Sequence, residues 1–140
     1  MAALTADRAY ETSGRTEVLR VLLTANDIYY KGAIIEFTAA GGLGIVATDT
    51  TAQGSLSGIM TEHIEVAAGE TRYGEVEVGK IWMPFSTAAV TDVGDYIYAA
   101  DDGTIAKSAV NADPIGIAVD FKTGYLLVDN RKGITKTALA

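Results

Sequence analysis

The strongest constraint on the fold is a run of alternating residues near the middle of the chain. Over residues 75–85, Val76 and Val78 alternate with Glu75 and Glu77, and Ile81, Met83 and Phe85 follow against Lys80, Trp82 and Pro84. Successive side chains of a strand point to opposite faces, so this period of two predicts a strand. Pro84 has no N–H to donate, so that end is expected at a sheet edge or a bulge.

Other short runs read the same way. Over residues 16–23, Leu19, Val21 and Leu23 share one face; a helix also fits there, because Leu19, Leu22 and Leu23 match its spacing. Residues 24–27 are a turn signal. Residues 28–38 contain Lys31-Gly32 and then Ala33, Ile35 and Phe37 alternating with Ile34, Glu36 and Thr38, a β signal, and residues 43–48 read as a short buried strand. Residues 59–67 set Met60, Ile64 and Val66 against Thr61, His63 and Glu65, with Glu62 breaking the pattern. Residues 95–99 place Tyr96 and Tyr98 opposite Ile97. Asp101-Asp102-Gly103 predicts a hairpin turn with positive φ, returning through residues 104–107. Ile115, Ile117, Val119 and Phe121 form one face of a strand that turns at Lys122-Thr123-Gly124 and comes back through residues 125–128. The best helical candidate, residues 87–93, is one or two turns long.

The reading is therefore mainly β: a small barrel- or sandwich-like domain over residues 16–130, with a flexible N-terminal arm (residues 1–15) and a C-terminal tail (residues 131–140). The 15 Gly and 2 Pro suit many tight turns between hydrogen-bonded strands. The arm is polar and aperiodic, with too little apolar surface to offset the entropy of ordering it.

Composition narrows function. There is no cysteine, which removes disulfides, thiolate metal sites and thiol nucleophiles. Lys+Arg 11 against Asp+Glu 18 gives a net charge of −7, and the basic residues are scattered, with Arg131-Lys132 and Lys136 the densest spot. Nucleic-acid binding needs them clustered on one face. No run approaches the roughly 18 apolar residues of a membrane span, and the first residues lack the pattern of a signal peptide. The expectation is a soluble protein made in the cytosol, with no nucleic-acid or membrane partner.

Catalytic and cofactor motifs are thin. His63, the one histidine, has Glu65 on its own face, so the two form a candidate base–orienter or metal pair, against the plainer reading of a solvent-facing pair. No serine sits at a strand–helix elbow. Gly42-Leu43-Gly44-Ile45-Val46-Ala47 satisfies G-x-G-x-x-A, but β-branched residues follow where a phosphate-binding helix should start, so a turn entering a strand explains it better. The acidic pairs Asp92/Asp95 and Asp101/Asp102 lack the spacing of a calcium loop. No catalytic residue, cofactor or metal is expected. Trp82, on the face opposite Ile81 and Met83, is either an interface anchor or a lid on one end of the barrel, and Tyr29-Tyr30 carries the same ambiguity.

The order of these motifs resembles a known family. It comprises Ala3-Leu4-Thr5-Ala6 in a polar arm, Tyr30-Lys31-Gly32-Ala33-Ile34-Ile35, Gly58-Ile59-Met60 and Val76-Glu77-Val78-Gly79-Lys80-Ile81. Val93-Gly94-Asp95-Tyr96-Ile97-Tyr98, Asp101-Asp102-Gly103-Thr104-Ile105-Ala106 and Pro114-Ile115-Gly116-Ile117-Ala118-Val119-Asp120 follow. Over roughly residues 2–130 the chain resembles the capsid decoration, or cement, proteins of tailed double-stranded DNA phages. The resemblance implies a non-enzymatic β domain on the outer surface of the virion, often a homotrimer, whose mobile arm contacts the major capsid protein. Such a protein would stabilise the shell by bridging capsomers. The candidate interface residues are Leu4, Arg8, Tyr10 and Arg15 of the arm, with Tyr29, Tyr30 and Trp82. The alternative is another virion or surface β module, such as a fibre base or a glycan-binding domain using Trp82 with Lys80 and Glu77.

Overall fold

The computed structural model describes residues 4–23, 27–37, 44–46, 57–108 and 114–130. Their strands in chain order are β1 (Glu11–Leu23), β2 (Asp27–Tyr29), β3 (Ile34–Phe37), β4 (Gly44–Val46), β5 (Ser57–Met60) and β6 (Ile64–Val66). After these come β7 (Arg72–Pro84), β8 (Tyr96–Ala99), β9 (Ile105–Ala106), β10 (Gly116–Lys122) and β11 (Tyr125–Asp129), with one 3-10 turn at Val90–Asp92. The chain is mainly β, and the alternative helix over residues 16–23 does not form.

The strand with the clearest alternation, β7, organises the rest. It pairs antiparallel with β1 over residues 72–82, with β5 at residues 76 and 77, and with β11 over residues 80–84. A strand has two edges, so β5 and β11 share one of them, end to end. Two branches leave from there: β5–β3–β4, and β11–β10–β8–β9. Asn130 sits in the fork, where its amide donates to the Gly79 carbonyl (3.1 Å) and its Oδ1 accepts the Gly79 amide (2.7 Å). The branches curl into a half-barrel and meet again where the Ile34 amide donates to the Asp102 carbonyl (2.8 Å) and the Ser57 hydroxyl to the Ile115 carbonyl (3.1 Å).

This curl creates two cores. One gathers Ile34, Ile59, Ile81, Met83, Ile97, Leu126 and Val128 inside the half-barrel. The other gathers Val21, Leu23, Tyr29, Ile35, Met60, Val76 and Val78, with Ile64 and Val66 of the separate β2–β6 ribbon laid over them. Val76 and Val78 differ in parity from Ile81 and Met83, so β7 feeds opposite faces from its two halves. β3 and β5 lie between the cores and are buried on both sides. That is why Ala33-Ile34-Ile35 and Ile59-Met60 read as continuous apolar runs.

Several expectations need correcting. The first strand starts at Glu11, ahead of the boundary expected after residue 15, because β7 still offers backbone partners there: Glu11 pairs Trp82 and Ser13 pairs Lys80. Residues 14–16 then bulge against Gly79 alone. Gly14 takes a φ of +74°, and a Cβ on Gly79 would lie 2.7 Å from Thr16 Cγ2. The side chains of residues 11–16 are exposed or half-buried, so no alternation betrays the strand. The described part of the run read over residues 28–38 holds two strands, β2 and β3, with Lys31-Gly32 between them. The Asp101-Asp102-Gly103 turn closes the β8–β9 hairpin without positive φ. In β10 a bulge at Val119 leaves Val119 and Phe121 exposed and buries Ala118, so the expected face of Ile115 to Phe121 is not continuous.

Pro84 lies where β1 has already ended. Because the Phe85 amide bonds the Gly124 carbonyl on the β11 side, Pro84 faces the other edge, where no N–H is required. Gly42, Leu43 and Ala47 of the G-x-G-x-x-A match, the turn at residues 24–26 and the basic tail at residues 131–140 lie outside the described residues; Gly44, Ile45 and Val46 form β4.

Candidate functional site

Residues 4–10 contain few apolar groups, and the two they use reach different cores. Leu4 packs on the core under the ribbon and Tyr10 on the core of the half-barrel. Between them the segment crosses the body without helix or strand, bending at residues 5 and 6, and is held by polar seats. The Leu4 amide donates to Asp102 Oδ1 (2.8 Å), and the Arg8 amide to the Lys31 carbonyl (2.9 Å). The Arg8 guanidinium bonds the carbonyls of Gly103 (2.7 Å) and Gly32 (3.4 Å). The Tyr10 hydroxyl donates to Glu77 Oε1 (2.7 Å), whose Oε2 accepts the Thr16 hydroxyl (2.5 Å).

The body is shaped for this segment. A Cβ on Gly103 would come within 2.8 Å of Leu4 Cδ2, so glycine serves here to admit Leu4 rather than to form a turn. Gly32 combines a φ of +86° with the Arg8 carbonyl directly over its α-carbon, leaving no room for a side chain.

Where the segment meets the edge of β7, a cleft of about 430 Å³ is lined by Arg8, Tyr10, Glu11, Trp82, Lys122 and Tyr125, among others. Trp82 and Tyr125 share the outer face of the sheet, and Lys122, paired with Tyr125 across the β10–β11 hairpin, swings its ammonium over both rings. Its Nζ lies 4.4 Å from the Trp82 centroid and 5.3 Å from that of Tyr125, and bonds Glu11 Oε1 at 3.2 Å. A cation held this way near the surface gains about 0.5–1 kcal/mol from the rings.

Burial decides the electrostatics. It raises the Tyr10 hydroxyl, and the hydrogen bond to Glu77 adds to the rise, so Tyr10 remains a neutral donor. Burial lowers Arg8 against the attraction of Asp102 and Asp101. It raises Asp102, against the hydrogen bond from Leu4. The segment thus carries both a half-buried cation and an amide that answers a buried carboxylate, which ties each charge to a partner.

Of the residues singled out from sequence, Arg8, Tyr10 and Trp82 line the one cleft, with Trp82 opposite Ile81 and Met83 as its parity requires. Leu4 sits apart on Gly103, and Arg15 is exposed in the β1 bulge. Tyr30 is half-buried against His63. Tyr29 is 0% exposed, so it is a core residue and not a surface for a partner. Glu11, Lys122 and Tyr125 were not foreseen as cleft residues, since only the pairing of β7 with both β1 and β11 brings them to Trp82.

His63 precedes β6 rather than lying within a strand. Its Nε2 meets Glu65 as spacing suggested, but its Nδ1 meets Asp7, far away in sequence (3.1 and 2.8 Å). Among the described residues no group of three or more His, Asp or Glu side chains is arranged to hold a metal. Asp92 instead accepts the Ala89 amide (2.9 Å) and Lys107 Nζ (2.8 Å), and Asp101 accepts the Gly103 amide (2.9 Å).

No protein-family model, curated protein or solved structure matches this chain.

Proposed function

We propose that this chain is a non-enzymatic virion protein that decorates the outer surface of a phage capsid and braces neighbouring major capsid subunits, acting as a homo-oligomer, with a trimer expected. The observation that carries this reading is the seated N-terminal segment beside an aromatic, cation-bearing cleft. A segment already held by hydrogen bonds can also present its outer side to a large partner at low ordering cost. Trp82 and Tyr125 supply rigid contact area of the kind that anchors interfaces. The acidic charge suits an exterior surface, where it meets no packaged DNA.

The test is co-sedimentation with expanded phage heads stripped of decoration protein. Deleting residues 2–15 is not a clean probe, because it removes the start of β1 and the Tyr10 anchor. The better probe is Trp82→Ala combined with Lys122→Glu, with folding checked by circular dichroism. Wild-type protein should saturate the heads and the folded double variant should bind at least tenfold more weakly. Equal uptake by both would refute a role for the cleft, and no uptake by wild type would refute decoration.

The same cleft favours a second reading, a saccharide site, because Trp82 and Tyr125 adjoin Glu11 and Arg8. Binding of the isolated protein to a glycan array, lost in Trp82→Ala, would favour it over capsid attachment.

A further inference from the structure

The chain has one histidine, and its ring is bracketed by carboxylates. Nδ1 of His63 lies 2.8 Å from Asp7 Oδ1, and Nε2 lies 3.1 Å from Glu65 Oε2. An ionised carboxylate only accepts hydrogen bonds, and a neutral imidazole carries a single N–H. Both contacts can be hydrogen bonds only when the ring is an imidazolium. Once neutral, it turns a lone pair toward one of the two carboxylates.

The groups around this bridge come from every neighbouring element. Tyr30, following β2, meets the ring edge-on at a centroid distance of 5.4 Å. The Lys31 amide donates to the same Asp7 oxygen (3.1 Å), and the Lys31 ammonium adds attraction for Asp7. The Arg72 guanidinium of β7 bonds the Glu65 carbonyl at 3.4 Å. Glu62 precedes the ring in the bend after β5, and Asp27 of β2 shares a shallow hollow with Glu65.

We propose that the Asp7–His63–Glu65 bridge is a pH-operated clasp on the N-terminal segment, shut while His63 is protonated and slack when it is neutral. Asp7 stands next to Arg8, a residue that lines the cleft, so a slack clasp loosens that lining. The other seats of the segment use the Arg8 guanidinium and the Tyr10 hydroxyl, which keep their charge near neutral pH, together with backbone groups and the carboxylates of Glu77 and Asp102, of which burial raises Asp102. The middle of the segment responds to His63, and the apolar contacts of Leu4 and Tyr10 keep it on the body. The clasp belongs to the free chain and does not depend on capsid binding.

The direction of the titration agrees with the geometry. The hydrogen bond to Asp7, then that to Glu65, raises His63 above its ordinary 6.5, and the His63 hydrogen bond lowers Asp7 below 3.8. The clasp is fully shut below 6.5, down to the acid range where Asp7 protonates. It is lost as pH rises through the elevated His63 value.

The experiment is an NMR titration of the whole protein from about pH 5 to 9, across the range in which histidine changes charge. The His63 ring resonances should titrate with a midpoint above 6.5, and the Arg8 and Lys31 amide signals should shift with the same midpoint. Asp7→Asn should bring the ring midpoint down. His63→Gln, at a largely exposed position, should keep the dispersed spectrum of a folded protein and abolish the shifts at Arg8 and Lys31. A ring midpoint at or below 6.5 would overturn the proposal, as would Arg8 and Lys31 amides that stay fixed while His63 titrates.

Discussion

Replacing Asn130 by alanine tests the fork on which the cleft depends. Asn130 is 1% exposed and its Oδ1 accepts the buried Gly79 amide at 2.7 Å, at the point where β5 and β11 divide one edge of β7. Alanine removes the acceptor and leaves the Gly79 N–H without a partner in a place water does not reach. The lost bond and the orphaned donor together cost about 2–3 kcal/mol. In a domain of this size each kcal/mol shifts the melting temperature by roughly 3–4 °C, so Asn130→Ala should melt ~6–12 °C below wild type. Thermal and urea denaturation followed by circular dichroism give the value, and the urea m-value should stay unchanged because the same surface is exposed on unfolding. Hydrogen exchange locates the effect: the Gly79 amide should lose its protection while that of Val76 keeps more. A melting temperature within about 2 °C of wild type, with Gly79 still protected, would show that the fork is held by strand pairing alone.

Three further outcomes follow from the same geometry. Gly103→Ala should push Leu4 off its seat, seen as faster proteolysis within residues 4–10 with a nearly unchanged melting temperature, since the clash is with the end of a flexible side chain. Tyr10→Phe removes a charge-assisted but half-exposed bond to Glu77 and should cost about 1 kcal/mol in urea unfolding; in a Glu77→Gln background the loss should be smaller. Asp92 lies below 3.8, first through its hydrogen bond to Lys107 and then through that from the Ala89 amide. Its contribution is therefore present above 3.8 and lost as pH falls through the lowered value, so an acid titration of stability should be less steep in Asp92→Asn.

Much of the fold was legible because a strand's alternation is a local property. β7, the β10–β11 hairpin with Gly124 at a φ of +81°, and the Val21/Leu23 face of β1 all followed from residue order alone. The start of β1 was not legible, because residues 11–16 bury neither face and owe their strand to β7. The ambiguity of Tyr29-Tyr30 was resolved for Tyr29 alone, which is buried, for a related reason. Two adjacent tyrosines in a strand face opposite ways, and only the β2–β6 ribbon turns Tyr29 into the core while leaving Tyr30 beside His63.

The sequence by itself determined the class of structure: β strands joined by glycine turns, with no cysteine. Side-chain alternation and turn preference act over a few residues, so they need no knowledge of neighbours. The tertiary structure alone decided what those strands enclose. It placed Glu11 and Lys122 on Trp82, Leu4 on Gly103, and Asp7 on His63. Each of these pairs joins positions far apart in the chain, and their meeting depends on how β7 shares its edges and how far the sheet curls. Those quantities are set by packing over the whole domain, where no local pattern records them.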